Sequence, residues 1–219
     1  MNENFIIEER TLIKYIGKYI GNDTDIIIPD NIESIGDFAF DGCARLTNIV
    51  IPEGVTSIGK GAFESCTSLT NIVIPEGVTS IGRWSFGGCE KLVSLSIPNS
   101  VTSIGKGAFE YCLSLKNITI PTGVKIIEEY TFRDCLSLDK IIIPDGVTSI
   151  GEKAFYNCEK LLDIVIPESV IRIGEDAFAF REHEEEFVRW INKTRIIQLK
   201  KGSFAEQYAK ENGILFKLL

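Results

Sequence analysis

Residues 46–66 read Leu46-Thr-Asn-Ile-Val-Ile-Pro-Glu-Gly-Val-Thr-Ser-Ile-Gly-Lys-Gly-Ala-Phe-Glu-Ser-Cys66, and this stretch returns every 23 residues. Pro29, Pro52, Pro75, Pro98, Pro121, Pro144 and Pro167 each follow an isoleucine at that step. Cys43, Cys66, Cys89, Cys112, Cys135 and Cys158 keep the same step, and so do Phe40, Phe63, Phe86, Phe109, Phe132, Phe155 and Phe178. A fixed period of this length marks a solenoid: each coil is one structural unit, and only stacking buries its apolar side.

The unit has a direct physical reading. In Leu46-x-x-Ile49-x-Ile51 the aliphatics alternate with the period of two of a strand with one buried face. Pro52 has no N–H for a sheet ladder and ends that strand. Pro second and Gly fourth in Ile51-Pro52-Glu53-Gly54 predict a type I turn. Val55 and Ile58 point inward on a second short extended segment, and Gly59 is read as permitting a sharp bend. Ala62 and Phe63 return a small and a large residue to the core before Cys66. Stacked coils bury these groups continuously, worth about 25 cal/mol per Å² of apolar surface.

The full pattern, Leu-x-x-Ile-x-Ile-Pro-x-x-Val-x-x-Ile-Gly-x-x-Ala-Phe-x-x-Cys, resembles the BspA-type (treponemal-type) leucine-rich repeat over about residues 5–219. The resemblance implies a curved solenoid with parallel strands on its concave face and a role in molecular recognition, in a family often surface-exposed and adhesive. The expected fold is β-rich (α+β): a right-handed leucine-rich-repeat solenoid of about seven coils, capped at both ends. Glu128 departs from the Ile-Gly glycine, Ser85 and Thr131 from the alanine, and Trp84 and Tyr130 from a glycine or charged residue. These departures are expected to affect the convex side and to leave the fold intact.

Both apolar ends of a solenoid need covering. Residues 1–25 read as an N-terminal cap, in which Phe5-Ile6-Ile7 and Leu12-Ile13-Lys14-Tyr15 flank a hairpin turn. Residues 26–180 hold the seven repeats, and 181–219 an insertion and a C-terminal cap. Phe180, Phe187 and Trp190/Ile191 recur at helical spacing, which predicts an amphipathic helix across 181–193. Thr194–Leu199 reads as a strand, and Ser203-Phe-Ala-Glu206 as a capping box opening a helix over 204–212, which Gly213 ends. Ser203→Ala is expected to lower stability by about 1 kcal/mol in a melting experiment.

The 219 residues carry 23 Lys+Arg against 31 Asp+Glu, a net charge of −8. That acidity argues against nucleic acid, whose phosphates need clustered cations. No apolar run approaches the roughly 20 residues of a membrane helix. One cysteine per coil in a straight column cannot converge on a metal, and parallel Cβ vectors suit a disulfide poorly. The cysteines therefore read as reduced, buried, small hydrophobes. His183 is the single histidine, so no histidine-based triad or metal cluster is available, and no phosphate-binding glycine motif appears. An enzyme is not expected, nor any cofactor or metal. Asn22, Asn117 and Asn192 head Asn-x-Thr triplets, which matter only in a secreted eukaryotic protein. Residues 1–20 lack a basic start and an unbroken apolar run. The chain as it stands thus reads as cytoplasmic, or as cell-surface if a leader has been trimmed away.

Function is left to the outward positions. With Leu46, Ile49 and Ile51 inward, one outer column on the concave face reads Asn48, Asn71, Ser94, Asn117, Lys140, Asp163, and its neighbour Val50, Val73, Ser96, Thr119, Ile142, Val165. These predict a shallow surface for another protein, the chain acting as a monomeric scaffold. Strand propensity and amide ladders would account for the same columns with no ligand at all. Aromatic residues usually anchor interfaces, so Trp84, Tyr130 and Trp190, with Tyr111 and Tyr156, form a rival surface. The alternative function is a cell-surface adhesin fragment that binds a host matrix protein or glycan.

Overall fold

The computed structural model describes residues 4–17, 24–179 and 196–219. The expected insertion helix, with Trp190, Phe187 and His183, lies outside them, as do Asn22 and Asn192. Strands are numbered in chain order. The hairpin β1 (Phe5–Glu8) and β2 (Thr11–Tyr15) is antiparallel, and beyond it every recorded strand pairing is parallel. Each coil then has three sides. The first carries β3 (Asp25–Ile27), β5 (Asn48–Val50), β7 (Asn71–Val73), β9 (Ser94–Leu95), β11 (Asn117–Thr119), β13 (Lys140–Ile142) and β15 (Asp163–Ile166). The second carries β4 (Ser34–Ile35), β6 (Ser57–Ile58), β8 (Ser80–Ile81), β10 (Ser103–Ile104), β12 (Ile126–Ile127), β14 (Ser149–Ile150) and β16 (Arg172–Ile173). Among the described residues the third has no strand; turns there lead from the Ile-Gly position through Phe to Cys.

Pairing is in register, Ile49 beside Ile72 and Ile58 beside Ile81, because a 23-residue step returns each side chain to the same place in the next coil. The phenylalanines stack almost face to face, with centroids 5.2–5.5 Å apart from Phe40 to Phe178. Tyr15 of the hairpin extends that stack, 5.5 Å from Phe40. Phe40 to Phe155 are fully buried, each ring contributing on the order of 1.5–3 kcal/mol by burial.

The turn after the first side is shifted by one residue from the sequence expectation. The Val55 N–H donates to the Pro52 carbonyl at 3.1 Å, and the corresponding bond recurs from Ile32 to Val170. Proline therefore opens the turn. Its side chain is buried in five coils and half-buried at Pro29 and Pro144, and with no N–H to leave unpaired it suits a strand end that turns inward.

The third side pairs by a different rule. Its N–H groups alternate between the same coil and the next one. Phe38, Phe40 and Gly42 donate to Lys60, Ala62 and Glu64 of the following coil, while Ala39, Asp41 and Cys43 donate three residues back. The alternation requires two left-handed residues per coil, at Phe38, Gly61, Trp84, Gly107, Tyr130, Lys153 and Asp176, and at Gly42, Ser65, Gly88, Tyr111, Asp134 and Asn157.

The Ile-Gly glycine is required for closeness, not for a bend, since its φ is ordinary. A Cβ on Gly82 would sit 2.5 Å from the backbone of Gly59, and one on Gly151 would sit 2.4 Å from Glu129 N. Glu128 brings a Cβ into this column, and there the second sheet divides: β10 ends one sheet and β12 begins another. Among the described residues, the rungs from Lys125 N–H to Thr102 and from Glu128 N–H to Ile104 are absent. Their counterparts, such as Thr102 to Thr79 and Gly105 to Ile81, are present. The departure at Glu128 thus reaches the sheet itself, not only the outer side.

At the C-terminal end β17 (Ile196–Leu199) adds to β15, and β18 (Phe216–Leu218) adds to β17. Helix α1 (Phe204–Glu211) lies between them, with Ser203 accepting from the Glu206 N–H at 3.2 Å. Glu206 accepts from the Gly202 N–H, one residue earlier than an ordinary capping box. Ala205 and Ala209 are buried, and the Tyr208 hydroxyl donates to the Gly174 carbonyl.

Candidate functional site

The outer face of the first sheet follows from strand alternation: Ile49 is buried while Asn48 and Val50 on either side of it are exposed. Asn71, Ser94, Ser96, Asn117, Thr119 and Lys140 are all exposed as well. The side chain of Asp163 lies outside the described set. The aliphatic column is prominent, with Val50 56%, Val73 73%, Ile142 58% and Val165 45% exposed. The structure adds Ile27, 72% exposed, at the head of this column. The lattice gave the signal, since Ile27 stands 23 residues before Val50. Asp25 heads the neighbouring column and accepts from Asn48 Nδ2 at 2.5 Å. Asn71 and Asn117 make no such side-chain bond among the described residues, so the expected amide ladder is confined to one rung. The face is a shallow strip, with an aliphatic column beside a polar one on coils one to three and mixed columns beyond.

The rival aromatics lie on the third side and are tied down by charged neighbours. Trp84 Nε1 donates to Glu110 Oε2 at 3.0 Å, and Arg133 bridges Glu110 and Asp134. The Arg133 guanidinium also lies within 6 Å of the rings of Tyr111, Tyr130 and Tyr156. Tyr156 is buried and offers no surface, whereas Tyr111 is 44% exposed. Burial, and then donation to Glu152 at 3.1 Å, raises the Tyr130 phenol above its ordinary value. Hydrogen bonding from Lys153 lowers the Glu152 carboxyl, and the bond to Glu129 raises the Lys106 ammonium. Burial followed by the nearby Asp41 charge raises Glu64.

The six cysteines are free and buried. They are more than small hydrophobes. Each Sγ from Cys66 to Cys158 donates to the phenylalanine carbonyl of the preceding coil at 3.1–3.3 Å, as Cys89 does to Phe63. Burial pushes the Cys89 thiol up to about 12, which removes it as a nucleophile. Among the described residues no group of three His, Cys, Asp or Glu could hold a metal, and no helix is long and apolar enough to cross a membrane.

A family model described as BspA type leucine rich repeat region matches residues 11–135, 56–184 and 102–209, overlapping spans that cover most of the chain. A leucine rich cell surface protein from Faecalibacterium prausnitzii is similar in structure, with TM-score 0.70 and 38% identity over 80% of this chain. The match covers 49% of that protein, so the present chain spans about half its length. A leucine rich repeat protein of T. pallidum has TM-score 0.63 and 26% identity over 74% of this chain and 89% of its own. The pneumococcal vaccine antigen PcpA, at 18% identity and TM-score 0.55 over 98% of this chain and 45% of its own, shares the fold. No curated protein sequence matches.

Proposed function

Because the chain belongs to the BspA-type leucine-rich repeat family, we propose that it is a non-enzymatic protein-recognition scaffold that binds through the outer face of its first sheet. The carrying observation is the run of Ile27, Val50 and Val73, β-branched side chains on three successive coils, each more than half exposed. Burying such a column against a partner contributes about 25 cal/mol per Å², while the hydroxyl and amide groups beside it supply specificity. Asn48, Asn71, Ser94, Ser96, Asn117, Thr119, Lys140, Ile142, Asp163 and Val165 complete the surface.

The test is a pull-down from the native organism with the wild-type chain and two variants. Val50→Lys with Val73→Lys, or Lys140→Glu with Asp163→Lys, should weaken capture of a first-sheet partner while leaving the melting temperature unchanged. Full retention by both variants would overturn this reading. A second reading, a cell-surface adhesin fragment that binds a host matrix protein or glycan, is favoured by the relative described as a cell surface protein. A secretion leader or anchor encoded beside this segment would support it.

A further inference from the structure

We propose that the third side carries a separate binding site for an extended, uncharged, β-linked glycan, formed by an aromatic column and the groove beside it. The proposal does not rest on the first-sheet reading. Position 38 of the lattice reads Phe38, Gly61, Trp84, Gly107, Tyr130, an aromatic on every second coil with glycine between. All five are left-handed, with φ from 51° to 62°. Glycine would suit each of them, whereas a bulky side chain is disfavoured there. The rings use the glycines as clearance. A Cβ on Gly61 would come within 2.5 Å of the Phe38 ring, and one on Gly107 within 2.4 Å of Trp84 Nε1.

The core rings beneath advance 5.2–5.5 Å per coil, so the outer aromatics recur at about 11 Å. That is close to the length of one disaccharide in an extended β-linked chain, in which every second sugar presents the same face. The Gly61 and Gly107 backbone packs against the Phe38 and Trp84 rings, and lysine side chains lie near the rings as well. Lys60 Nζ is 5.0 Å from the Phe38 centroid and 5.8 Å from that of Trp84, and Lys106 Nζ is 4.8 Å from Tyr130. Lys60 is exposed, so its flexible arm can yield the Phe38 and Trp84 rings to a sugar, whereas Lys106 and Arg133 beside Tyr130 are held by Glu129 and by Glu110 and Asp134.

Directly alongside runs a groove of about 500 Å³ where the second sheet divides at Glu128. It is lined by Ser80, Arg83, Ser103, Lys106, Glu128 and Glu129. Two cations and two carboxylates balance, which fits a neutral polyol better than an ion. Arg83 brings donors, Glu128 acceptors, and the serines both. A sugar ring has the same duality, with an apolar face for the aromatics and hydroxyls at its edge.

The experiment uses the chain with Trp190→Phe, leaving Trp84 as the reporting tryptophan. It is titrated with a soluble β-linked glucose oligomer and an α-linked oligomer of equal length, with calorimetry in parallel. The expected result is saturable binding of the β-linked oligomer with a change in Trp84 emission, and weaker or no binding of the α-linked one, which curves away from the column. Trp84→Gly and Tyr130→Gly, which install the residue found in alternate coils, should each lower affinity about tenfold by calorimetry. Either variant alone suffices if the other does not fold. Glu128→Gly, which lets the sheet close, should also weaken binding. No saturable binding, equal affinity for both linkages, or full affinity in the glycine variants would overturn the proposal. The Val50→Lys, Val73→Lys chain should bind the oligomer normally, so loss there would move the site to the first sheet.

Discussion

The second coil (Leu46 to Cys66) and the fifth (Leu115 to Cys135) have nearly the same inside and differ most in one four-residue segment that opens the third side. Ile49, Ile51, Val55, Ile58, Phe63 and Cys66 recur as Ile118, Ile120, Val124, Ile127, Phe132 and Cys135, and all twelve are buried. Yet Gly59-Lys60-Gly61-Ala62 becomes Glu128-Glu129-Tyr130-Thr131. In the second coil the glycine lets the neighbouring backbone approach. In the fifth, four residues divide a sheet, reverse a charge and raise an aromatic ring. Identity inside preserves the stack, and a short outward segment sets what each coil presents.

If the two interiors are equivalent, Phe63→Ala and Phe132→Ala should cost the same, about 3–5 kcal/mol each in denaturant unfolding. A large gap between them would break the equivalence. Gly59→Glu should carry the fifth coil's opening into the second, lowering stability by about 1–3 kcal/mol and speeding hydrogen exchange of the residue 59 amide. Glu128→Gly should slow exchange at residues 125 and 128.

The thiols test the inside more gently. Cys66→Ala and Cys135→Ala should each lose about 1–2 kcal/mol, since a donor and a sulfur's volume go together. A thiol whose folded value lies above its unfolded one holds its proton more tightly in the folded chain. The stability it contributes is full below the ordinary thiol range, near 8.5, and is lost as pH climbs toward the value of about 12 held by Cys89. Alkaline titration of the melting temperature checks the sign, and native thiols should resist labelling at neutral pH. The smallest effect concerns the alanine column. Thr131 Oγ1 donates to the Glu128 carbonyl at 2.8 Å, whereas the buried Ser85 hydroxyl has no hydrogen-bond partner among the described residues. Ser85→Ala should be neutral or stabilising by up to about 1 kcal/mol, and Thr131→Ala destabilising by a similar amount.

The period, the buried columns and the exposed first-sheet columns were legible because a 23-residue lattice projects sequence directly onto three sides. The turn register was not, since Pro52 and Gly54 fit two adjacent turns and only the Val55 N–H decides between them. Nor was the thiol bond, because sulfur reads as apolar until a carbonyl stands over it. Glu128 was visible as a departure, but its effect depends on an inter-coil distance that no single coil encodes. Among the aromatics Tyr111 is exposed as expected while Tyr156 is buried, and the pairing of Trp84, Tyr130 and Tyr111 with Glu110, Glu152 and Arg133 was not legible.

The sheet divisions have one further consequence. The first sheet is interrupted between β7 and β9 and between β13 and β15, and the second between β10 and β12. These gaps fall at three different coil interfaces, and at each of them the third-side rungs continue, from Trp84 to Lys106, Gly107 to Glu129 and Lys153 to Glu175. The joints are staggered as in brickwork. No plane of cleavage runs straight through the stack, so the solenoid can vary one wall at a time without coming apart.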